Sequence, residues 1–111
     1  GRNGNRTLAS LYDMIPAKDK EPNPIEAWNH ARIVSHNGHV EHWLNGKKVL
    51  EYERGSDHFR KLVEMSKYSE PRYEAYGTRF GEAEKGHILL QEHGHRVSFR
   101  NIKIKPLGDM E

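Results

Sequence analysis

Two Asn-Gly pairs, Asn37-Gly38 and Asn45-Gly46, punctuate the run WNHARIVSHNGHVEHWLNGKKVLEYE from Trp28 to Glu53. Each lies between β-rich segments. A type I′ turn needs φ > 0 at both central residues, and Asn followed by Gly tolerates that best. Two such turns restrict this stretch to a three-strand antiparallel meander, with strands near 28–36, 39–44 and 47–53. Two-residue loops also set the register. They put Leu44 opposite Lys47, His42 opposite Val49, Ile33 opposite His42 and Arg32 opposite Trp43.

Opposite residues share a sheet face, and successive residues alternate between faces. One face then collects Ala31, Ile33, Val40, Leu44 and Val49, with His42 and Glu51 among them. It reads as the core side, with His42 a satisfied core histidine bonded to Glu51. The other face collects Trp28, His30, Arg32, His39, Glu41, Trp43, Lys48 and Tyr52, plus Val34 and Leu50. Aromatic rings stack on the C–H faces of a pyranose, and carboxylate, guanidinium and imidazole groups bond its hydroxyls. Trp28, Trp43, Tyr52, Glu41 and His39 are therefore candidate sugar contacts. The same pattern also describes a solvated sheet face with two exposed tryptophans. A one-residue slip would exchange the faces.

The chain has 111 residues, enough for one domain. Hydrophobic residues make up 34% and charged residues 31%, a low apolar share for a self-sufficient core. The first residue is Gly and the opening GRNGNR is turn-like, so the chain reads as a segment of a longer protein. The formal net charge is +2, with basic and acidic residues interspersed. This is not a nucleic-acid footprint. No apolar run reaches membrane-spanning length. There is no cysteine, hence no disulfide framework and no thiolate zinc site.

Elsewhere, Thr7 to Ile15 reads as a strand stopped by Pro16, and 16–24 as a proline-rich connection. Ser56 is placed to cap a short helix over 57–67, with Phe59, Leu62, Val63 and Ser66 at helical spacing. Asp57 in its first turn and Lys67 in its last suit the helix dipole. The segment 68–86 has no period and reads as a long loop. Gly86 to His93 and Arg96 to Lys105 read as two further strands. Ile88, Leu90, Val97 and Phe99 would face inward, and Gln91, His93, Ser98 and Arg100 the other way. The apolar phase slips at Arg100-Asn101, which predicts a β-bulge. An amide, an imidazole and a guanidinium on one face suit a polar ligand; an ordinary strand end would look the same.

Eight histidines are present, at 30, 36, 39, 42, 58, 87, 93 and 95. Metal ligands must converge at about 2.0–2.1 Å from one ion, and no HExxH or comparable spacing occurs. The metal question stays open. GxSxG, P-loop and Rossmann fingerprints are absent.

The segments ASLYDMIP, EAWNHARIVSHNGHVEHWLNGKKVLEYE, GHILLQEHG and VSFRNIKIKPL, in that order, resemble the 3-keto-disaccharide hydrolase domain, from about Thr7 to Leu107. HWLNG, LQ-x-HG and FRNIKI make the match specific. The resemblance implies a mainly β fold, a concanavalin-like antiparallel jelly-roll β-sandwich with one short helix. It implies that residues 1–111 form the C-terminal part of a single such domain. The family's N-terminal strands and their acidic residues would precede Gly1, supplied by another part of the protein or replaced by self-association. A periplasmic or extracellular bacterial location is also implied.

The implied chemistry acts on 3-keto-glycosides. The C3 ketone acidifies the C2 proton, a base removes it, the C1 group leaves, and water adds to the resulting glycal. This needs a base, an acid and a cation or divalent metal at the enolate oxygen. Within this chain His93 is the candidate acid/base, Gln91 an orienting contact and Arg100 an enolate stabiliser. The alternatives are a non-catalytic carbohydrate-binding or adhesion module on the same fold, and a purely structural domain. A convergent acid/base set, as against aromatic rings alone, discriminates the enzyme from the binding module.

Overall fold

A computed structural model of the chain describes residues 4, 6–71, 80–91, 94 and 96–107. Its centre is one antiparallel sheet in the order β1-β2-β3: Ala31–His36, His39–Leu44 and Lys47–Glu53. Both connections are the expected two-residue turns. Asn37 and Gly38 have φ 51° and 85°, and Asn45 and Gly46 have φ 50° and 82°, the left-handed pairs of type I′. A single short α-helix among the described residues, α1, follows over Asp57–Glu64. The antiparallel sheet and the short helix are the mainly β architecture expected from the sequence. No helix among the described residues is long and apolar enough to cross a membrane.

The register of β1 on β2 is the expected one, with Arg32 opposite Trp43 and Ile33 opposite His42. Between β2 and β3 it changes partway. Leu44 pairs with Lys47 and Trp43 with Lys48, but His42 then pairs with Leu50, Glu41 with Glu51, Val40 with Tyr52 and His39 with Glu53. Val49 is thus the extra residue of a β-bulge, which puts two residues of one strand against one of its partner. Both Val49 and Leu50 are buried. From Leu50 onward every side chain lies on the face opposite to that expected. Leu50 and Tyr52 join the core side, and Glu51 leaves it for the side of Glu41. Burying two adjacent apolar residues holds the bulge, at roughly 1.5–3 kcal/mol for each fully buried aliphatic side chain.

The core is Met14, Val40, Leu44, Val49, Leu50 and Phe59. Ala31 and Ile33, expected in it, are exposed, because they stand on β1 at the sheet edge, beyond the reach of this cluster. The expected strand 7–15 is instead a set of turns with one isolated bridge between Leu11 and Ile15. Positive φ at Ala9 and Asp13 folds it back on itself, so Met14 is buried and Ala9 O accepts from His42 Nδ1 at 2.9 Å. His42 is indeed satisfied within the core, but by Ala9 and by Tyr52, whose hydroxyl is 3.4 Å from Nε2. Glu51 lies on the other face.

Ser56 caps α1 as expected, its Oγ accepting from Phe59 N at 3.1 Å. The helix ends at Glu64, before Lys67. Ser66 then starts a separate 3-10 turn, Lys67–Ser69, accepting from Tyr68 N. The Lys67 N–H goes to Asp13 Oδ2 at 2.8 Å, which ties this turn to the folded-back N-terminal segment. Phe59 stacks on Tyr52 with ring centroids 5.8 Å apart and closes the core.

The two further strands expected at 86–93 and 96–105 are not formed among the described residues. These segments hold no β-ladder and are exposed throughout, Ile88, Leu89 and Ile104 among the most open. A strand forms only where a neighbour takes its N–H and C=O groups, and none of β1–β3 pairs with these segments. The β-bulge expected at Arg100-Asn101 is therefore not formed either, since a bulge needs a ladder; Asn101 has φ 55° and the segment bends there.

Candidate functional site

The bulge makes the solvent-facing side of β2 and β3 a charged cluster. His39, Glu41 and Trp43 alternate along β2, and their partners Glu53, Glu51 and Lys48 lie opposite on β3. Glu41 and Glu51 face each other directly, a pairing of like charges that is unfavourable unless something lies between them. His39 does. Its Nε2 is 3.3 Å from Glu41 Oε2 and 3.1 Å from Glu51 Oε2, and its Nδ1 is 2.5 Å from Glu53 Oε1. One imidazole therefore contacts three carboxylates.

The surrounding groups fix the orientation of this set. Trp43 Nε1 donates to Glu41 Oε1 at 2.9 Å, so Oε2 of the same carboxylate is the oxygen left for His39. Lys48 Nζ is 3.2 Å from Glu51 Oε2. Arg32 lies over the Trp43 ring at 5.8 Å. The Glu53 carboxylate, followed by Glu41 and the charge of Glu51, holds His39 above the ordinary histidine range. The Trp43 indole, then His39 and Lys48, hold Glu41 below the usual carboxylate range. Among the described residues, His39, Glu41 and Glu51 also form the one group whose nitrogen and oxygen donors lie close enough together to hold a metal ion.

The structure brings together three of the sequence-derived candidates, His39, Glu41 and Trp43. Tyr52 stands on the opposite face, stacked on Phe59 and edge-on to His42, because the bulge turned it inward. Burial pushes its hydroxyl up. Trp28 is exposed ahead of β1 and carries the Arg100 guanidinium over its ring at 4.1 Å. Gln91 is exposed in a segment without strand pairing. His93 lies outside the described residues. Glu51 and Glu53 were missed as site residues. The signal for them was the adjacent apolar pair Val49-Leu50 before the alternation Glu51-Tyr52-Glu53, which marks a phase slip in β3.

The family model for the 3-keto-alpha-glucoside-1,2-lyase-like domain matches residues 1–105. A 3-keto-disaccharide hydrolase from Bacteroides thetaiotaomicron is 40% identical over 96% of this chain, which spans 38% of that protein. A crystal structure of a putative glycosyl hydrolase from Parabacteroides distasonis superposes with a TM-score of 0.57 at 29% identity, over 68% of this chain and 33% of the other. The three-stranded sheet and its helix thus form part of a β-sandwich, and the chain belongs to the 3-keto-alpha-glucoside-1,2-lyase-like domain family.

Proposed function

We propose that this chain contributes the C-terminal part of a domain that cleaves 3-keto-glycosides. Family membership and the name of the Bacteroides relative support the substrate class. The observation that carries an enzymatic reading is the convergence of His39, Glu41, Glu51 and Glu53 beside the Trp43 ring. A module built only to hold sugar needs aromatic rings and hydrogen-bonding groups. It has no need of three carboxylates gathered on one imidazole. On this reading Trp43 is the platform for the sugar ring and Glu41 a hydroxyl partner, with Trp28 and Arg100 forming a second platform.

The reaction proceeds by elimination and hydration. A base takes the C2 proton, the electron pair of that bond forms C1=C2, and the C1–O bond breaks with its pair going to the leaving oxygen, which is then protonated. Water adds across C1=C2 and returns a proton to C2. His93 remains the proposed acid/base group for these transfers and Gln91 its orienting neighbour.

The full-length protein, given a 3-keto-disaccharide in D2O, tests the mechanism. Deuterium at C2 of the released 3-keto sugar is expected. Cleavage without C2 label would replace elimination by direct displacement at C1. Saccharide binding with no turnover would favour the carbohydrate-binding module.

A further inference from the structure

We infer that His39, Glu41 and Glu51 form a binding site for one divalent first-row transition-metal ion on the open face of β2 and β3. The first argument is spacing. His39 Nε2 lies 3.1 Å from Glu51 Oε2 and 3.3 Å from Glu41 Oε2, and all three donors fall within 4.8 Å of one another. Ligands at about 2.0–2.2 Å from one ion are about 3 Å apart at right angles and about 3.4 Å apart in a tetrahedron. The two separations from His39 match ligands that share an ion, and the two carboxylate oxygens lie within 4.8 Å of each other, so side-chain shifts admit one.

The second argument is orientation by groups outside the three ligands. A metal-binding histidine characteristically gives its other ring N–H to a carboxylate, which fixes the tautomer that leaves the ligating nitrogen bare. Glu53 stands at Nδ1 in that role. The Trp43 indole holds Glu41 Oε1 and leaves Oε2 for the ion. Two strands in fixed register supply all three ligands, so the site does not depend on a loop for its shape.

The third argument is charge. Glu41, Glu51 and Glu53 crowd one point of the sheet, and among the described residues Lys48 is the one cationic side chain with an ion pair to them besides His39. Its Nζ occupies part of the place an ion would take on Glu51. A flexible ammonium competes there and is displaced by a divalent ion. The donor set selects the class of metal. Carboxylates alone suit calcium and magnesium, whereas an added imidazole favours manganese, iron, zinc and their neighbours. Three protein ligands leave coordination positions free for water or a ligand. An α-hydroxyketone such as C2–OH and C3=O of a 3-keto sugar can chelate an ion at two such positions, but binding of the ion itself does not rest on the glycoside-cleaving reading.

The test is a titration of Mn(II) into metal-stripped full-length protein, followed by the loss of the free-ion EPR signal, with melting curves to confirm folding. Wild-type protein is expected to take up one ion that His39→Ala, Glu41→Gln and Glu51→Gln each fail to bind. Glu53→Gln should weaken that uptake roughly 10–100-fold, the usual effect of losing an orienting carboxylate. Lys48→Met, which removes the competitor and no ligand, should tighten it. Uptake unchanged in folded Glu51→Gln would overturn the proposal, as would Lys48→Met protein that binds more weakly than wild type. Calcium held as tightly as Mn(II), and indifferent to His39→Ala, would overturn the transition-metal assignment.

Discussion

Asn45 Nδ2 donates to Asn29 Oδ1 at 3.0 Å, joining the Trp-Asn pair before β1 to the Asn-Gly turn between β2 and β3. Asn45 does more from the same position. Its Oδ1 accepts from His30 N at 2.8 Å, its Nδ2 also donates to Glu21 O at 3.0 Å, and its own N–H goes to His30 O at 2.8 Å. Asn29 Oδ1 in turn accepts from Asn23 N. The two asparagines are the clasp that holds the proline-rich connection against the sheet.

Asn45→Ala should therefore cost more than an ordinary turn substitution. It removes three side-chain bonds and puts a Cβ residue without a local polar partner at φ 50°. A loss of about 2–3 kcal/mol is expected, combining the left-handed backbone with broken hydrogen bonds. Urea denaturation measures it. A change within about 0.5 kcal/mol, the scale of ordinary surface substitutions, would show that the clasp is idle.

Gly81→Ala should be destabilising and Gly86→Ala neutral. A Cβ at Gly81 would stand 2.6 Å from Phe59 Cζ, at φ 76°. A Cβ at Gly86 meets nothing within 4 Å. Arg54 bonds Gly81 O and Ala83 O, and Arg60 pairs with Glu82, so the backbone at 81 has little freedom to retreat. Melting temperatures of the two variants decide the point: equal values would mean that Phe59 moves aside without cost.

The charged anchor of the folded-back segment should make stability depend on acid. Asp13 accepts from Arg6 Nε at 2.7 Å and from Lys67 N at 2.8 Å, and these bonds hold its carboxyl below the ordinary value of 3.8. A carboxylate with a depressed pKa stabilises the folded state above its unfolded pKa and loses that contribution as pH falls through the folded value. Stability should thus decline from about pH 4 downward, following the unfolded carboxyl value. Asp13→Asn should flatten that part of the curve. An unchanged acid limb in the variant would assign the decline to other carboxyls.

The exposed apolar side chains of 86–107 lead to a prediction about association. Ile88, Leu89, Leu90, Val97, Phe99, Ile102 and Ile104 are all open, and exposing so many large apolar side chains favours contact with another chain. The isolated 111-residue chain is expected to self-associate in size-exclusion chromatography with light scattering. A monomer with a cooperative melt would contradict this.

Both turns, the β1–β2 register and the Ser56 cap were legible because each rests on a local rule: Asn-Gly for φ > 0, Ser for an open helix end. The errors are tertiary in origin. Residues 7–15 have the apolar content of a strand, yet Asp13 is drawn back by Arg6 and by Lys67, which is distant in sequence. Residues 86–91 and 96–105 have strand patterning but find no ladder partner. At the site, His39, Glu41 and Trp43 could be placed from β2 alone. Glu51 and Glu53 could not, because counting outward from Asn45-Gly46 assumes one residue per partner and Val49 breaks that count.

Position along β3 consequently has two zero points. From the turn to Lys48 the count runs from the Asn45-Gly46 tip, and from Leu50 onward it runs from His39 and its neighbours at the far end. A relative lacking the counterpart of Val49 would keep the same partners for Lys48, Leu50, Glu51 and Glu53, because the missing residue is the one without an opposite number. Its charged face would survive a one-residue gap that, in an unbulged strand, would exchange the two faces. An insertion of one more residue anywhere between Leu50 and Glu53 would have the reverse effect, sending part of that charge into the oil while leaving both hairpin signatures in the text of the sequence.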